Sequence, residues 1–284
     1  MRGEFIDLGG ARLYYYAAGT RGAGEPVVFV HGFATSGHLW SDVVSLMPPG
    51  HRLIVLDLLG HGRSDPPGAR ALTLHAHAQR IVALLDALGV SAATVVGHGV
   101  GGGIAQSLAI HWPARVARLA LVSSIGFGGW ATRDVVLARA TLAITRHLPP
   151  AWLLSMVRTE LERGYGDPFR AVHSIDKYVR PFSTIEGRAT LVRHIRALDA
   201  KETSALAPSL GDIACPATVL WGSQDPFLPA SLGKRLADTI PGATLEVVAG
   251  ARHFLPEEAP RQVADALGAL LARSAPAAVR GGGS

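Results

Sequence analysis

Four short runs of the chain, PVVFV (26–30), LIVLD (53–57), TVVG (94–97) and LALV (119–122), are apolar at nearly every position. A strand with one wet face alternates polar and apolar residues, so a strand without that alternation has both faces covered, as in the middle of a parallel sheet flanked by helices. The runs are too short for a membrane span. Strand patterns near 4–8, 12–18, 26–30, 51–56, 93–97, 118–122, 217–221 and 244–248 alternate with helical spacing near 38–46, 73–88, 101–111, 229–239 and 258–272. This order predicts an α/β fold with a mostly parallel eight-stranded sheet and helices on both faces. With 284 residues, 48% of them apolar, the chain can fill such a core.

The alternation stops between about 125 and 210, where WATRDVVLARATLAITRHL, PAWLLSMVRTELERG, PFRAVHSIDKYV and TIEGRATLVRHIRALDA carry helical spacing with no strand between them. The expected organisation is a core formed by 1–124 and 211–275, a helical cap or lid at 125–210, and a disordered tail at 276–284.

Several function classes are disfavoured. The net charge of +5 comes from scattered arginines with no run of five like charges, so no nucleic-acid footprint is expected. Arg115 and Arg118 interrupt the most apolar stretch, and residues 1–20 lack the apolar core of a secretory signal. A cytoplasmic protein without a membrane span is expected, as a monomer or homodimer. The one cysteine, Cys215, excludes an internal disulfide and reads as a small core residue. His75 and His77 stand two apart on a predicted helix and face different ways, and no zinc-binding pattern accompanies them, so no metal is expected.

The segment TVVGHGVGGG (94–103) admits two readings. Gly97-His98-Gly99-Val100-Gly101-Gly102 satisfies the G-x-G-x-x-G pattern of a dinucleotide-binding turn, but the next strand ends in Ser123 and Ser124 where an acid should hold the ribose. The rival is G-x-S-x-G, a sharp strand-to-helix turn that lifts a nucleophile above the sheet. Gly97, His98, Val100 and Gly101 match it, and position 99 is glycine in place of serine.

Four further segments decide between them: FVHGFATSGHLW (29–40), LDLLGHGRSD (56–65), WGSQDPFLP (221–229) and GARHFLPEEAP (250–260). In order and spacing, together with the elbow, they resemble the α/β-hydrolase superfamily, and within it the esterase, lactonase and C–C bond hydrolase group with a helical lid. The resemblance implies an oxyanion hole from the amides of Phe33 and Val100, with Gly32 allowing the turn, and a catalytic pair of His253 and Asp225 in the family order of elbow, acid, histidine. It implies no cofactor. Among nearby residues, Gly32, His98, Trp40, Trp130 and Phe254 are expected at the substrate, while Phe127, Trp152, Met156 and Phe182 are candidates for pocket or lid; His61 is expected to support its loop.

Glycine cannot attack a carbonyl, so an acyl-enzyme on residue 99 is excluded. A histidine base facing two fixed N–H donors can still move protons. These residues lead to the expectation of an enzyme acting on a small to medium hydrophobic ester, lactone or thioester, with water or proton transfer replacing the acyl-enzyme. A non-hydrolytic lyase, decarboxylase or cyclase, an engineered Ser-to-Gly hydrolase, and a ligand-binding pseudoenzyme remain open alternatives.

Overall fold

A computed structural model describes residues 3–19, 24–128, 130, 133–145 and 149–275. The sequence-predicted tail at 276–284 lies outside them. Eight strands form one sheet: β1 (Gly3–Asp7), β2 (Arg12–Gly19), β3 (Val27–Val30), β4 (Arg52–Leu56), β5 (Ala93–His98), β6 (Val116–Val122), β7 (Ala217–Gly222) and β8 (Thr244–Val248). Their spatial order is β1-β2-β4-β3-β5-β6-β7-β8. The two β2 pairings are antiparallel and every pairing from β4 to β8 is parallel.

Every residue of β3, β5, β6 and β7 is buried. Successive side chains leave opposite faces, and two core clusters follow. Val28, Val30, Ile54, Leu56, Leu119 and Leu121 pack on one side, while Val27, Phe29, Leu53, Val55, Ala120 and Val122 pack on the other. Arg118 is accommodated within β6 because its guanidinium donates to Glu25 at 2.5 Å and to the Arg273 carbonyl at 2.8 Å. Cys215 sits in the core, where burial pushes its thiol up to about 11.

Core helices α1 (Ser41–Leu46), α2 (Leu74–Ala87) and α3 (Val100–His111) fall close to their predicted positions. Among the described residues five α-helices then separate β6 from β7: α4 (Arg133–Thr145), α5 (Pro150–Arg163), α6 (Pro168–Val179), α7 (Ile185–Ala197) and α8 (Ala200–Leu206). After β7 come α9 (Ala230–Thr239), α10 (Leu255–Glu258) and α11 (Pro260–Ala272). α2, α3 and α9 cover one sheet face; α1 and α11 cover the other, joined there by apolar side chains of α5 to α7.

The end of the inserted segment packs against the core. Leu206 and Leu210 belong to the core cluster beneath α3, so α8 packs as part of the core layer. Its helical spacing marked a helix, but periodicity does not say which partner receives the apolar side.

Candidate active site

Gly99 stands at the junction of β5 and α3 with φ 55° and ψ −119°, a backbone conformation that side chains rarely adopt. The glycines around it serve close backbone packing. A Cβ on Gly97 would lie 2.3 Å from the Gly101 carbonyl oxygen, and one on Gly101 would lie 2.4 Å from the carbonyl oxygens of Val30 and His31. The spacing that imitated a phosphate loop is therefore required by the fit of α3 against β5 and the loop after β3. Gly99 differs from these neighbours. A Cβ there would meet only His253 Nε2, at 3.6 Å, and the Gly32 Cα, at 3.8 Å, both ordinary contacts. Strain, not space, opposes a side chain at this position.

His253 follows β8, and its ring is held from behind: Nδ1 lies 2.8 Å from Asp225 Oδ2. The Asp225 side chain is fully buried, and its Oδ1 accepts from the amides of Phe227 at 2.9 Å and Leu228 at 3.0 Å. Burial pushes the carboxyl up, but the adjacent imidazole and these hydrogen bonds outweigh it and hold Asp225 below the usual carboxylate value. An ionised Asp225 accepts a hydrogen bond from the His253 Nδ1–H, which turns Nε2 toward Gly99. Backbone bonds from Ser223 to Val248 and from Gln224 to Ala251 tie the acid loop to the histidine loop.

The His253 main chain is also fixed on both sides. Its N–H donates to the Gly164 carbonyl at 3.1 Å, and its carbonyl lies 3.0 Å from His98 Nε2. His98, expected at the substrate, is buried and stacks on Phe254 at 5.8 Å between centroids. Desolvation lowers its pKa to about 3, so it is neutral and donates from Nε2. It acts as a strut beneath the histidine loop. Phe254 is buried too, stacked on Tyr165 at 4.3 Å, at the joint between that loop and the end of α5.

Gly32 adjoins the elbow: a Cβ on it would lie 3.1 Å from the His98 carbonyl oxygen. Phe33 and Val100 are partly exposed beside it, and among the described residues neither amide donates to a protein acceptor. His31 links loops, its Nε2 accepting from the Leu58 amide at 2.9 Å, and His61 Nε2 accepts from the Ala34 amide at 3.3 Å.

Two aromatic residues expected at the substrate are buried in the core. Trp40 is wholly buried against Phe29, 5.2 Å between rings, so it supports the elbow from within the core. Trp130 belongs to the opposite core cluster, where its indole donates to Thr203 Oγ1 at 2.6 Å. Trp152 and Met156 point to solvent, whereas Phe127 and Phe182 are core residues. Aromatic composition alone does not separate a pocket wall from a core.

The sequence reading missed the junction around Glu257. This buried carboxylate accepts from Tyr165 at 2.5 Å and Tyr178 at 2.7 Å, joining α5 and α6 to the segment that carries His253. Its signal was the pair Glu257-Glu258 that begins four residues after the histidine. A cavity of about 440 Å³ adjoins it, lined by His38, Asp42, Arg170, His173 and Glu257 among others, and neither Gly99 nor His253 lines it. Among the described residues no side-chain group is arranged to hold a metal ion, and no helix is long and apolar enough to cross a membrane.

Comparison with known proteins agrees with the fold. The profile of the alpha/beta hydrolase fold matches residues 25–260. The dihydrolipoyllysine-residue acetyltransferase component of the acetoin cleaving system of Cupriavidus necator is 30% identical over 88% of the chain, which spans only 64% of that relative's length. The cis-3-alkyl-4-alkyloxetan-2-one decarboxylase of Shewanella oneidensis is 28% identical, covering 92% of the chain and 85% of the relative. The solved structure of Est816, described as an N-acyl homoserine lactone degrading enzyme, is 28% identical with a TM-score of 0.75, covering 93% and 98% of the two chains.

Proposed function

Because the chain belongs to the α/β-hydrolase fold family, we propose that it is an enzyme that hydrolyses a hydrophobic ester, lactone or thioester of small to medium size without an acyl-enzyme. His253 Nε2 takes a proton from a water placed beside Gly99, and the resulting hydroxide adds to the substrate carbonyl. The oxyanion forms against the amides of Phe33 and Val100, and the imidazolium, steadied by Asp225, returns the proton to the leaving oxygen or sulfur. The inserted helices α5 to α7 serve as the lid over the substrate.

The observation that carries this reading is the position of His253 Nε2, 3.6 Å from where a Gly99 Cβ would stand, with Nδ1 already engaged by Asp225. A base is aimed at a place where a nucleophile belongs, and that place has room for water. The relatives add chemical sense, since one acts on an oxetan-2-one, itself a four-membered lactone, and another degrades a lactone. The decarboxylase also favours a second reading, in which the same base and donors transfer a proton without net hydrolysis.

The test is turnover of a panel of lactones and p-nitrophenyl esters by the wild-type protein and His253→Ala. Hydrolysis should fall by about 10²- to 10⁴-fold in the variant, the usual worth of a general base. Pre-steady-state release should show no burst. A covalent acyl adduct, or full activity in His253→Ala, would overturn the mechanism.

A further inference from the structure

A water beside Gly99 is one occupant of a space with a definite shape. A serine side chain would put one carbon and one oxygen there, and the Cβ position has no neighbour closer than 3.6 Å. His253 Nε2 at 3.6 Å and the Gly32 Cα at 3.8 Å bound that position, and in the hydrolytic reading the substrate carbonyl approaches from the remaining side. A molecule held by non-bonded contact must stand farther from the Gly99 Cα than a bonded Cβ does. The space therefore suits a hydroxyl carrying one small alkyl group, its oxygen toward Nε2 and its carbon toward the glycine backbone.

We propose that the protein also transfers acyl groups to short primary alcohols, with methanol as the best acceptor, the alcohol taking the place of the absent hydroxymethyl side chain. This inference rests on the hydrolytic reading above. His253 Nε2 removes the hydroxyl proton as the alcohol oxygen forms a bond to the acyl carbon. The bond to the leaving group then breaks and the imidazolium proton passes to it, so an ester R–CO–X and methanol give R–CO–OCH₃ and HX. No oxidant, reductant or metal enters the balance.

Glycine at position 99 accounts for the selectivity. In an acyl-enzyme mechanism, the alcohol attacks from the substrate side, where the leaving group has departed and longer alcohols fit. Here the alcohol must lie between the glycine backbone and a carbonyl that still carries its leaving group. Each added methylene or branch then meets the Gly32 Cα or the imidazole, and pocket discrimination of this kind amounts to about 10-fold or more per methylene.

The experiment uses the full chain and a p-nitrophenyl ester, with added methanol, ethanol, 1-propanol or 2-propanol at equal concentration, measuring p-nitrophenol, free acid and alkyl ester. Supporting results are an enzyme-dependent methyl ester, an ester-to-acid ratio that drops about 10-fold or more from methanol to 1-propanol, and loss of both products in His253→Ala. Gly99→Ala, which would project a methyl group into this space, should suppress methyl ester formation; the alcohol series on the wild-type protein decides the matter if that variant does not fold. Enzyme-dependent acid with no alkyl ester, or alkyl esters formed without regard to alcohol size, would overturn the inference and leave the hydrolytic reading standing. Absence of either product from any ester would overturn the hydrolytic reading itself.

Discussion

At the scale of single residues, the centre of interest is an elbow that retains its geometry without its side chain. Gly99 holds φ 55° and ψ −119°, angles that cost another residue about 1–3 kcal/mol. Gly99→Ser should lower unfolding free energy by about that amount, measured by denaturant titration. A serine Cβ would stand 3.6 Å from His253 Nε2, so its hydroxyl would fall within reach of the base. The variant should be labelled at residue 99 by a serine-directed phosphonate and show a burst with an activated ester. A folded variant that takes up no phosphonate would show that His253 is not aimed at position 99.

Among the elements, the joint between the inserted helices and the histidine loop is polar and buried. Glu257 receives hydroxyls from Tyr165, just after α5, and from Tyr178 in α6. Burial raises the carboxyl's pKa, against the pull of the two tyrosines, and burial likewise raises both phenols. Removing one donor from a buried acceptor costs about 1–3 kcal/mol. Tyr178→Phe should therefore reduce stability by about that amount, and hydrogen exchange should quicken in α6 more than in β5 or β6. Equal acceleration in the central strands would mean that the joint belongs to the global core. Because Gly164 also accepts the His253 amide, movement of α5 is expected to reach His253, raising KM together with the local exchange rate.

Across the whole molecule, the buried histidines determine the response to acid. His31, His61, His77, His98 and His194 are all buried, and desolvation lowers the pKa of each. His61 and His194 stand 4.1 Å apart between ring centroids, which adds mutual repulsion of their charged forms. For His98 and His194 the value falls from 6.5 to about 3. Below pH 6.5 the unfolded chain takes up protons that these folded residues refuse, so stability declines as pH falls through that window. Each of the two should cost about 2 kcal/mol between pH 6.5 and about pH 5. Glu257 and Glu202, whose pKa values burial raises, work in the opposite direction, two carboxyls against five imidazoles. Denaturant midpoints should drop steadily from pH 7 to pH 5, and a flat profile would mean that these histidines are hydrated or paired in solution.

The runs PVVFV and LALV contain no polar residue and TVVG only Thr94, and this near absence of polar positions determined that they lie in the middle of a covered parallel sheet. The turn GHGVG and the segments bearing Asp225 and His253 were legible for a similar reason: backbone geometry this tight tolerates few residues, so it leaves a local signature. Tertiary structure decided the rest. It made His98 a strut for the His253 carbonyl, sent Trp130 to Thr203 on the opposite sheet face, and assigned α8 to the core layer. It also brought Tyr165 and Tyr178 to Glu257 from about 80 to 90 positions away. Periodicity records that a side chain is buried, while its partner is set by how distant elements pack, and no spacing along the chain encodes that contact.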